Sequence, residues 1–309
     1  MPSPRTVLAL GGNALIRPGE LGSPADQGAR AREVARQLAT LPRDTELVVT
    51  HGNGPQVGRI LLRSDLTASE LPEVPLDLAV AATQGQIGVM LQHALGAAMR
   101  RPSCTVLTSV VVDPEDPDFA NPTKFVGRFY TREQAEERAA ELGWRVREDA
   151  GRGWRRVVPS PLPISIVELA AIRTLVKAGH VVVACGGGGV PVMRAHGVLA
   201  GVEAVVDKDR ASALLARELG ATRLIILTAV DEVMVDFGGP QARALRELDA
   251  DELRHHYDQG QFPPGSMGPK IEAALDFLEL GPRATVLITS PECFGQALLG
   301  ERGTWIHRL

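Results

Sequence analysis

At 309 residues the chain has the length of one large α/β domain or two smaller ones, and 44% hydrophobic with 23% charged side chains is the balance of a globular protein with a full core. A net charge of −4 leaves no basic footprint, so no nucleic-acid partner is expected. Three widely spaced cysteines (Cys104, Cys185, Cys293) fit neither a disulfide framework nor a zinc site, and no segment nears the roughly 18 apolar residues of a membrane helix. The N-terminal apolar run is too short for a signal peptide, so a cytoplasmic chain with reduced core thiols and no membrane partner is expected.

The first predicted strand, TVLAL at 6–10, ends in the glycines of LGGNA at 10–14. A helix-length stretch over 26–40 leads to the strand ELVVT at 46–50, which runs into THGNGPQVG at 50–58. After a helix over 76–98, CTVLTSVVV at 104–112 reads as one strand. Residues 113–163, rich in proline, glycine and charge, break the alternation. They read as a lid subdomain inserted in an otherwise single domain spanning 1–309. Inside the insertion Thr131 and Gln134 form a capping-box pattern, and 144–158 resembles a hairpin. A helix over 165–178 precedes HVVVAC at 180–185, which ends in the four glycines of CGGGGVP. A helix over 209–219, the strand RLIILT at 223–228 with TAVDEV at its end, a helix over 270–279 and the strand ATVLIT at 284–289 complete the pattern.

Such alternation predicts an α/β fold with a mainly parallel sheet between helices, binding ligands beyond the carboxyl ends of its strands. Glycine turns at three such ends suggest one crevice lined by backbone N–H groups, suited to phosphate or another oxyanion. Neither G-x-x-x-x-G-K-[ST] nor G-x-G-x-x-G with its following acid is present, so the site is of another design.

Only four of the 33 basic residues are lysine: Lys124, Lys177, Lys208 and Lys270. Lys208 opens a helix with an apolar face at 211, 214, 215 and 219, for which Asp209 is the expected cap; Lys270 follows Pro269 at the start of a helix with its face at 271, 274, 275 and 278. A cation there opposes the helix dipole by about 0.3–1 kcal/mol, whereas a bound polyphosphate reverses the sign. Glycine amides, helix N-termini and lysines directed at one anion match what phosphoryl transfer demands. Asp209 is expected to hold the two ammonium groups apart. Lys124, in NPTKFVG, could reach substrate from the insertion and fits an exposed loop lysine equally well. His51 reads as a backbone hydrogen-bonder and Cys185 as a core thiol. No spaced cluster marks a protein-held metal.

The segments ALGGNAL, VVTHGNGPQVG, AATQGQIG, NPTKFVGRFYT, VVACGGGGVPV, GVEAVVDKDRASALLA, ILTAVDEV and GSMGPKIEAA, in this order, resemble the carbamate kinase branch of the amino acid kinase family over essentially the whole chain. The resemblance implies a three-layer αβα sandwich, a homodimer, and Mg²⁺-dependent phosphoryl transfer between ATP and carbamate, serving ATP synthesis from arginine or another carbamoyl donor. Carbamate offers an oxygen that is already anionic, which agrees with the lack of a placed general base. The resemblance further implies Lys208 and Lys270 as transition-state cations and Asp209 as their organiser. Gly11, Gly12, Asn13, Gly52, Asn53 and Gly54 would form the cradle, Gly187 and Gly188 would close around the small substrate, and Lys124 would be the lid contact. Lys208, Val230, Asp231, Val233, Met267 and Lys270 are expected to hold the nucleotide, with Mg²⁺ carried mainly by its phosphates. The chain departs from the family pattern at Phe125 and Arg128, where proline is usual, and at Met234, where tyrosine is common. A kinase for a bulkier carboxylate, or a catalytically weak sensor of nucleotide or carbamoyl phosphate, are the alternatives; the lid opposes the first, and the full set of lysines with Asp209 the second.

Overall fold

The computed structural model describes residues 4–16, 20, 22–149, 151–195, 197–263, 265–281 and 283–308. Strand β1 (Arg5–Leu10) is followed by a 3₁₀ turn (Gly12–Ala14), α1 (Pro24–Leu38), β2 (Glu46–His51), α2 (Gly54–Leu66) and α3 (Leu76–Met99). Next come β3 (Ser103–Thr105), β4 (Ser109–Val112), β5 (Lys124–Tyr130), α4 (Arg132–Leu142), β6 (Arg145–Glu148), β7 (Trp154–Val158) and β8 (Pro163–Ile166). The chain continues through α5 (Leu169–Lys177), β9 (Val181–Val183), β10 (Val190–Ala195), β11 (Val198–Gly201), α6 (Lys208–Leu219), β12 (Arg223–Leu227), β13 (Val233–Val235), β14 (Arg243–Leu245) and β15 (Glu247–Asp249). It closes with α7 (Ala250–Asp258), α8 (Gly268–Leu278), β16 (Thr285–Thr289), α9 (Phe294–Leu298) and β17 (Thr304–His307).

Eight strands form the main sheet in the order β15-β17-β16-β12-β1-β2-β9-β3, parallel throughout except where β17 runs against β16. Its strands are apolar at successive positions because both faces are covered. Val7, Val48, Val182, Leu224, Ile226, Val286 and Ile288 point to one core, filled by α5, α6, α7 and α8 through Ile172, Leu215, Leu253, Ile271 and Phe277. Their neighbours Leu8, Leu47, Val49, Val183, Ile225, Leu227 and Leu287 point to the other, filled by α1, α3 and α9 through Val34, Leu38, Ile87, Leu91 and Phe294. The two-residue side-chain period therefore produces the three αβα layers.

The expected single strand over 104–112 is in fact two, β3 in the main sheet and β4 in a second sheet of order β11-β10-β4-β8. Thr108 makes the break: its backbone N–H and C=O both bond the buried Gln84 side chain, and its hydroxyl oxygen accepts from the Cys185 N–H. The helix expected over 165–178 is β8 followed by α5, and α2 grows directly out of the second glycine loop. Within 113–163, β5, β7 and β6 form a small antiparallel sheet, with the 144–158 hairpin as β6 and β7 and the Thr131–Gln134 capping box opening α4. This sheet rests on α2 and α3 through Val126 and Val158 against Val57, Leu76 and Val80. Arg128 and Arg138 pair with Asp65 on α2 at 3.2 and 2.7 Å. Among the described residues no helix is long and apolar enough to cross a membrane.

Gly88 marks the tightest contact of α3 with the sheet. A Cβ there would collide with the Thr105 side chain of β3, whose own Cβ lies 3.0 Å away, so no rotation of Thr105 clears it. Alanine gains about 0.8–1 kcal/mol over glycine in helix propensity, but overpacking costs about 1–3 kcal/mol, so the clash wins. Gly88→Ala is expected to lower the urea midpoint, and Thr105→Ser in the same chain to restore part of it. A stabilised Gly88→Ala protein would contradict this packing.

Candidate active site

Four adjacent strands, β12, β1, β2 and β9, deliver their carboxyl ends to one crevice. Gly11 follows β1 and is anchored by its N–H to the Leu227 carbonyl of β12 at 2.8 Å; Gly52 follows β2, with its N–H on the Leu10 carbonyl at 3.0 Å. A Cβ on Gly52 would lie 2.8 Å from Gly12 Cα and 3.5 Å from Cδ of Lys208, so the first two glycine turns and the stem of Lys208 are packed together. Gly12 and Gly54 instead have open space where a side chain would stand, and Gly54 begins α2. Of the glycines expected to form a cradle, these two leave room for a ligand to approach the backbone. The side chain of Asn13 lies outside the described residues.

Into the crevice point the first turns of α6 and α8. Asp209 is 3% exposed at its side chain, and each of its carboxylate oxygens takes one ammonium: Lys208 bonds Oδ1, and Lys270 lies 3.3 Å from Oδ2. Lys270 also donates to the Ser266 carbonyl at 3.3 Å. The expected cap is displaced by two residues. Asp207, not Asp209, is the N-cap of α6, its Oδ1 accepting from the N–H groups of Asp209 at 2.9 Å and Arg210 at 3.4 Å. Freed from capping, the Asp209 carboxylate turns inward to the lysines. Lys124, at the first residue of β5, reaches Oδ2 of Asp207 at 3.0 Å and so joins the same charged row.

The run of glycines at 186–189 is demanded by the protein itself. Gly187, Gly188 and Gly189 have φ of 66°, 90° and 87°, a region glycine alone enters freely. Cβ atoms on Gly186, Gly187, Gly188 and Gly189 would strike His51, Asn53, the Val206 carbonyl and Val110 respectively. The N–H groups of Gly188 and Gly189 are used inside the loop, on Cys185 and Gly186 carbonyls at 3.1 Å each. Gly188 therefore does not fit the expected substrate contact by its amide. Asn53, 6% exposed, is likewise engaged, donating to the Thr83 hydroxyl at 2.8 Å.

The expected nucleotide residues divide. Val233, the first residue of β13, is fully buried and packs into the core, which leaves it unsuited to line a pocket. Val230 is half-buried, and Met267 is the half-buried N-cap of α8. Asp231 is exposed at the end of β12, its carboxylate lowered in pKa by the Ser290 hydroxyl that donates to it at 2.6 Å. Cys185 is a buried thiol pushed up in pKa by burial, while Cys104 and Cys293 are half-buried rather than core; all three are free.

Sequence reading passed over the residues that hold this arrangement. Ser212 donates to the Lys208 carbonyl and accepts from Thr50, both at 2.6 Å, which clamps the first turn of α6 to β2. Glu272 of α8 receives Arg210 of α6 and the Tyr257 hydroxyl, so the two lysine-bearing helices are bolted together. Only the spacing Asp-Lys-Asp at 207–209 hinted at the capping role. A separate cavity of about 440 Å³ opens between α2 and the small sheet, lined by Leu61, Asp65, Arg128, Tyr130, Trp144 and Arg156 among others. It contains none of the lysines, so the chemistry is assigned to the crevice and not to the cavity.

Residues 4–289 match the sequence profile of the amino acid kinase family. The chain is 47% identical to carbamate kinase of Thermococcus kodakarensis, covering 98% of this chain and 99% of that protein, and 46% identical to carbamate kinase of Pyrococcus furiosus, covering 98% of each. Its structure superposes on carbamate kinase from Giardia lamblia bound to AMP-PNP with a TM-score of 0.92, at 40% identity over 99% of both chains.

His51 ties the second and third glycine loops together and is 1% exposed. Its Nδ1 lies 3.0 Å from the Gly52 carbonyl, which can only accept, so Nδ1 carries the proton. Nε2 is buried without a partner against Gly186. Burial, with Lys208 adding repulsion, lowers its pKa from 6.5 to about 4 in spite of the Gly52 bond. Between those values the unfolded chain takes up a proton that the folded chain refuses. Stability is therefore fully present above pH 6.5 and declines as pH falls toward 4, by about 3 kcal/mol in all at the linkage slope of about 1.4 kcal/mol per pH unit. His51→Gln is expected to lose less of its urea midpoint between pH 7 and pH 5 than the parent chain. Equal losses would remove His51 from the acid sensitivity.

Proposed function

The chain belongs to the carbamate kinases of the amino acid kinase family, and on that premise we propose how its crevice transfers a phosphoryl group between ATP and carbamate, giving ADP and carbamoyl phosphate. The observation that carries the reading is Asp209, buried between Lys208 and Lys270 at the N-termini of two helices, beyond the ends of parallel strands. Carbamate attacks in line through an oxygen that already bears charge, so no side chain has to remove a proton. What remains is positioning and neutralisation of charge spread over the moving phosphoryl oxygens. Lys208 and Lys270 supply the neutralising cations, Asp209 keeps them apart and aimed, and the two helix N-termini add favourable dipoles. Gly12 and Gly54 let the phosphoryl group approach the backbone closely, and Gly11, Gly52 and Asn53 fix those turns in place.

Lys124 arrives from the small sheet, which we read as a lid subdomain that brings this third lysine to the acceptor. The nucleotide lies toward the end of β12 and the start of α8, past Val230, Asp231 and Met267. The donor set suits a Mg²⁺ ion held by the nucleotide phosphates. Both nearby carboxylates are already engaged, Asp209 by two ammonium groups and Asp207 by Lys124 and helix N–H groups. Among the described residues no group of three or more His, Cys, Asp or Glu offers a protein cage. When bound, the ion neutralises charge between the phosphates. We read the chain as a cytoplasmic homodimer that makes ATP from arginine or another carbamoyl donor. Exposed Leu78 on α3, Ile164 on β8 and Val198 on β11 leave apolar surface for a second copy to cover.

ATP formation from ADP, Mg²⁺ and carbamoyl phosphate is the direct test. Lys208→Ala and Lys270→Ala are each expected to fold and to lower turnover by about 10²–10³, the usual cost of one preorganised transition-state donor. Undiminished turnover in folded Lys270→Ala would refute its role, and no ATP from the parent chain would move the reading to another acceptor or to a sensor. Lys124→Ala is expected to raise KM for carbamoyl phosphate more than KM for ADP. An unchanged carbamoyl phosphate response would return Lys124 to a surface role.

A further inference from the structure

Lys124 is the first residue of the small sheet and Asp207 the N-cap of α6, and they meet where that sheet adjoins the segment leading into α6: the Val205 N–H bonds the Pro159 carbonyl at 3.0 Å and Arg156 of β7 pairs with Glu203. Their side chains are not equally held. Asp207 is 14% exposed and pinned through Oδ1 by two helix N–H groups, while Lys124 is 40% exposed on a long, flexible stem. Burial alone would raise the Asp207 carboxyl, but Lys124, with Lys208 beside it, holds it well below the usual carboxylate range. The carboxylate is therefore charged at every working pH, and the partner that moves is the lysine.

Along the crevice run Lys124, Asp207, Lys208, Asp209 and Lys270, an alternating row of charge. Within it Asp209 is shared by two ammonium groups that remain beside it, whereas Lys124 has one carboxylate, which lies at the base of the same helix. An acceptor anion arriving at Lys124 must take the ammonium from that carboxylate. We propose that Asp207 is a positioning residue that acts through Lys124: it is the resting counter-ion, and acceptor binding is an exchange of one anion for another on the same ammonium. The inference rests on the reading of Lys124 as the acceptor contact and deepens it. Exchange sets a requirement on the acceptor side: an uncharged analogue has nothing to offer the lysine in place of the carboxylate, so the row favours anions. It also weakens acceptor affinity by the fraction of lysine that is parked. For a partly exposed pair that fraction corresponds to about a two- to five-fold effect.

The test is equilibrium titration of carbamoyl phosphate, read by fluorescence of Trp144 and Trp154 beside and within the small sheet, on the parent chain, Asp207→Asn, Lys124→Ala and the double variant. Asparagine caps helices as well as aspartate, so α6 is kept; Asp207→Ser provides a second capping variant without the charge. The expected result is a Kd about two- to five-fold lower in Asp207→Asn and Asp207→Ser, with ADP affinity unmoved, and no such gain once Lys124 is alanine. An unchanged or higher Kd overturns the proposal. So does an equal gain in the Lys124→Ala background, which would mean that Asp207 acts through the general field, and so does a parent chain that fails to bind carbamoyl phosphate. Binding with the expected pattern but without ATP formation would leave the exchange standing and defeat the transfer reading instead.

Discussion

The buried carboxylate of Asp209 is the constraint around which the crevice is organised. Two ammonium groups about 4 Å apart repel by about 4 kcal/mol at the effective dielectric of a protein surface, so two lysines brought to one place need a negative charge between them. A carboxylate buried to 3% exposure has the converse need and cannot stand without cations. Lysines and aspartate are thus mutually required, and so are the helices that carry them. Arg210 and Glu272 bind α6 to α8, and Ser212 and Thr50 bind α6 to β2, so the triad is carried on rigid elements and not on loops.

That rigidity extends to the glycine turns, which turn out to be as much joints as cradles. His51 and Asn53 of the second turn occupy the space denied to side chains at Gly186 and Gly187, while Gly12 and Gly52 meet backbone to backbone. Three loops from three adjacent strands are locked into one surface, and only Gly12 and Gly54 look outward into open space. A phosphate site built this way needs no long glycine-rich loop wrapped round the ligand, which is why no standard nucleotide fingerprint appears in the chain.

The preference for arginine elsewhere follows the same logic of geometry. Arginines serve the small sheet, where Arg128 and Arg138 share Asp65 and Arg156 lies over the Trp144 ring at 4.9 Å, contacts that exploit a planar guanidinium. Three of the four lysines stand at the crevice, where a compact ammonium can sit on one carboxylate oxygen and still turn to a second anion, while Lys177 is exposed at the end of α5. Phe125 and Arg128, which follow Lys124 where the family usually has proline, are both accommodated in β5. Phe125 lies beneath Arg155, and Arg128 reaches down to α2, so these departures strengthen the seat of the sheet and leave Lys124 paired with Asp207.

Short apolar runs separated by helix-length patterns determined the parallel sheet and its covering layers, because periodicity and breakers are local properties. The crevice at the strand ends followed from the position of the glycines, and the three lysines from their rarity and their helix-start contexts. Local pattern also placed the Thr131 cap and the hairpin over 144–158. It did not reveal that 104–112 changes sheets at Thr108, since the cause is Gln84, a side chain 24 residues away. Nor did it distinguish Asp207 from Asp209 as the cap, because either can lead a helix and only the position of Lys270 across the crevice draws one of them inward. Val233, expected from the family resemblance to line the nucleotide site, instead packs into the core, because which residues of a short apolar strand face inward depends on what packs there. The sequence by itself determined which elements form and where anion chemistry gathers. Tertiary structure alone decided which polar group meets which, because those pairings join residues distant in the chain whose approach costs local propensity nothing and so leaves no local trace.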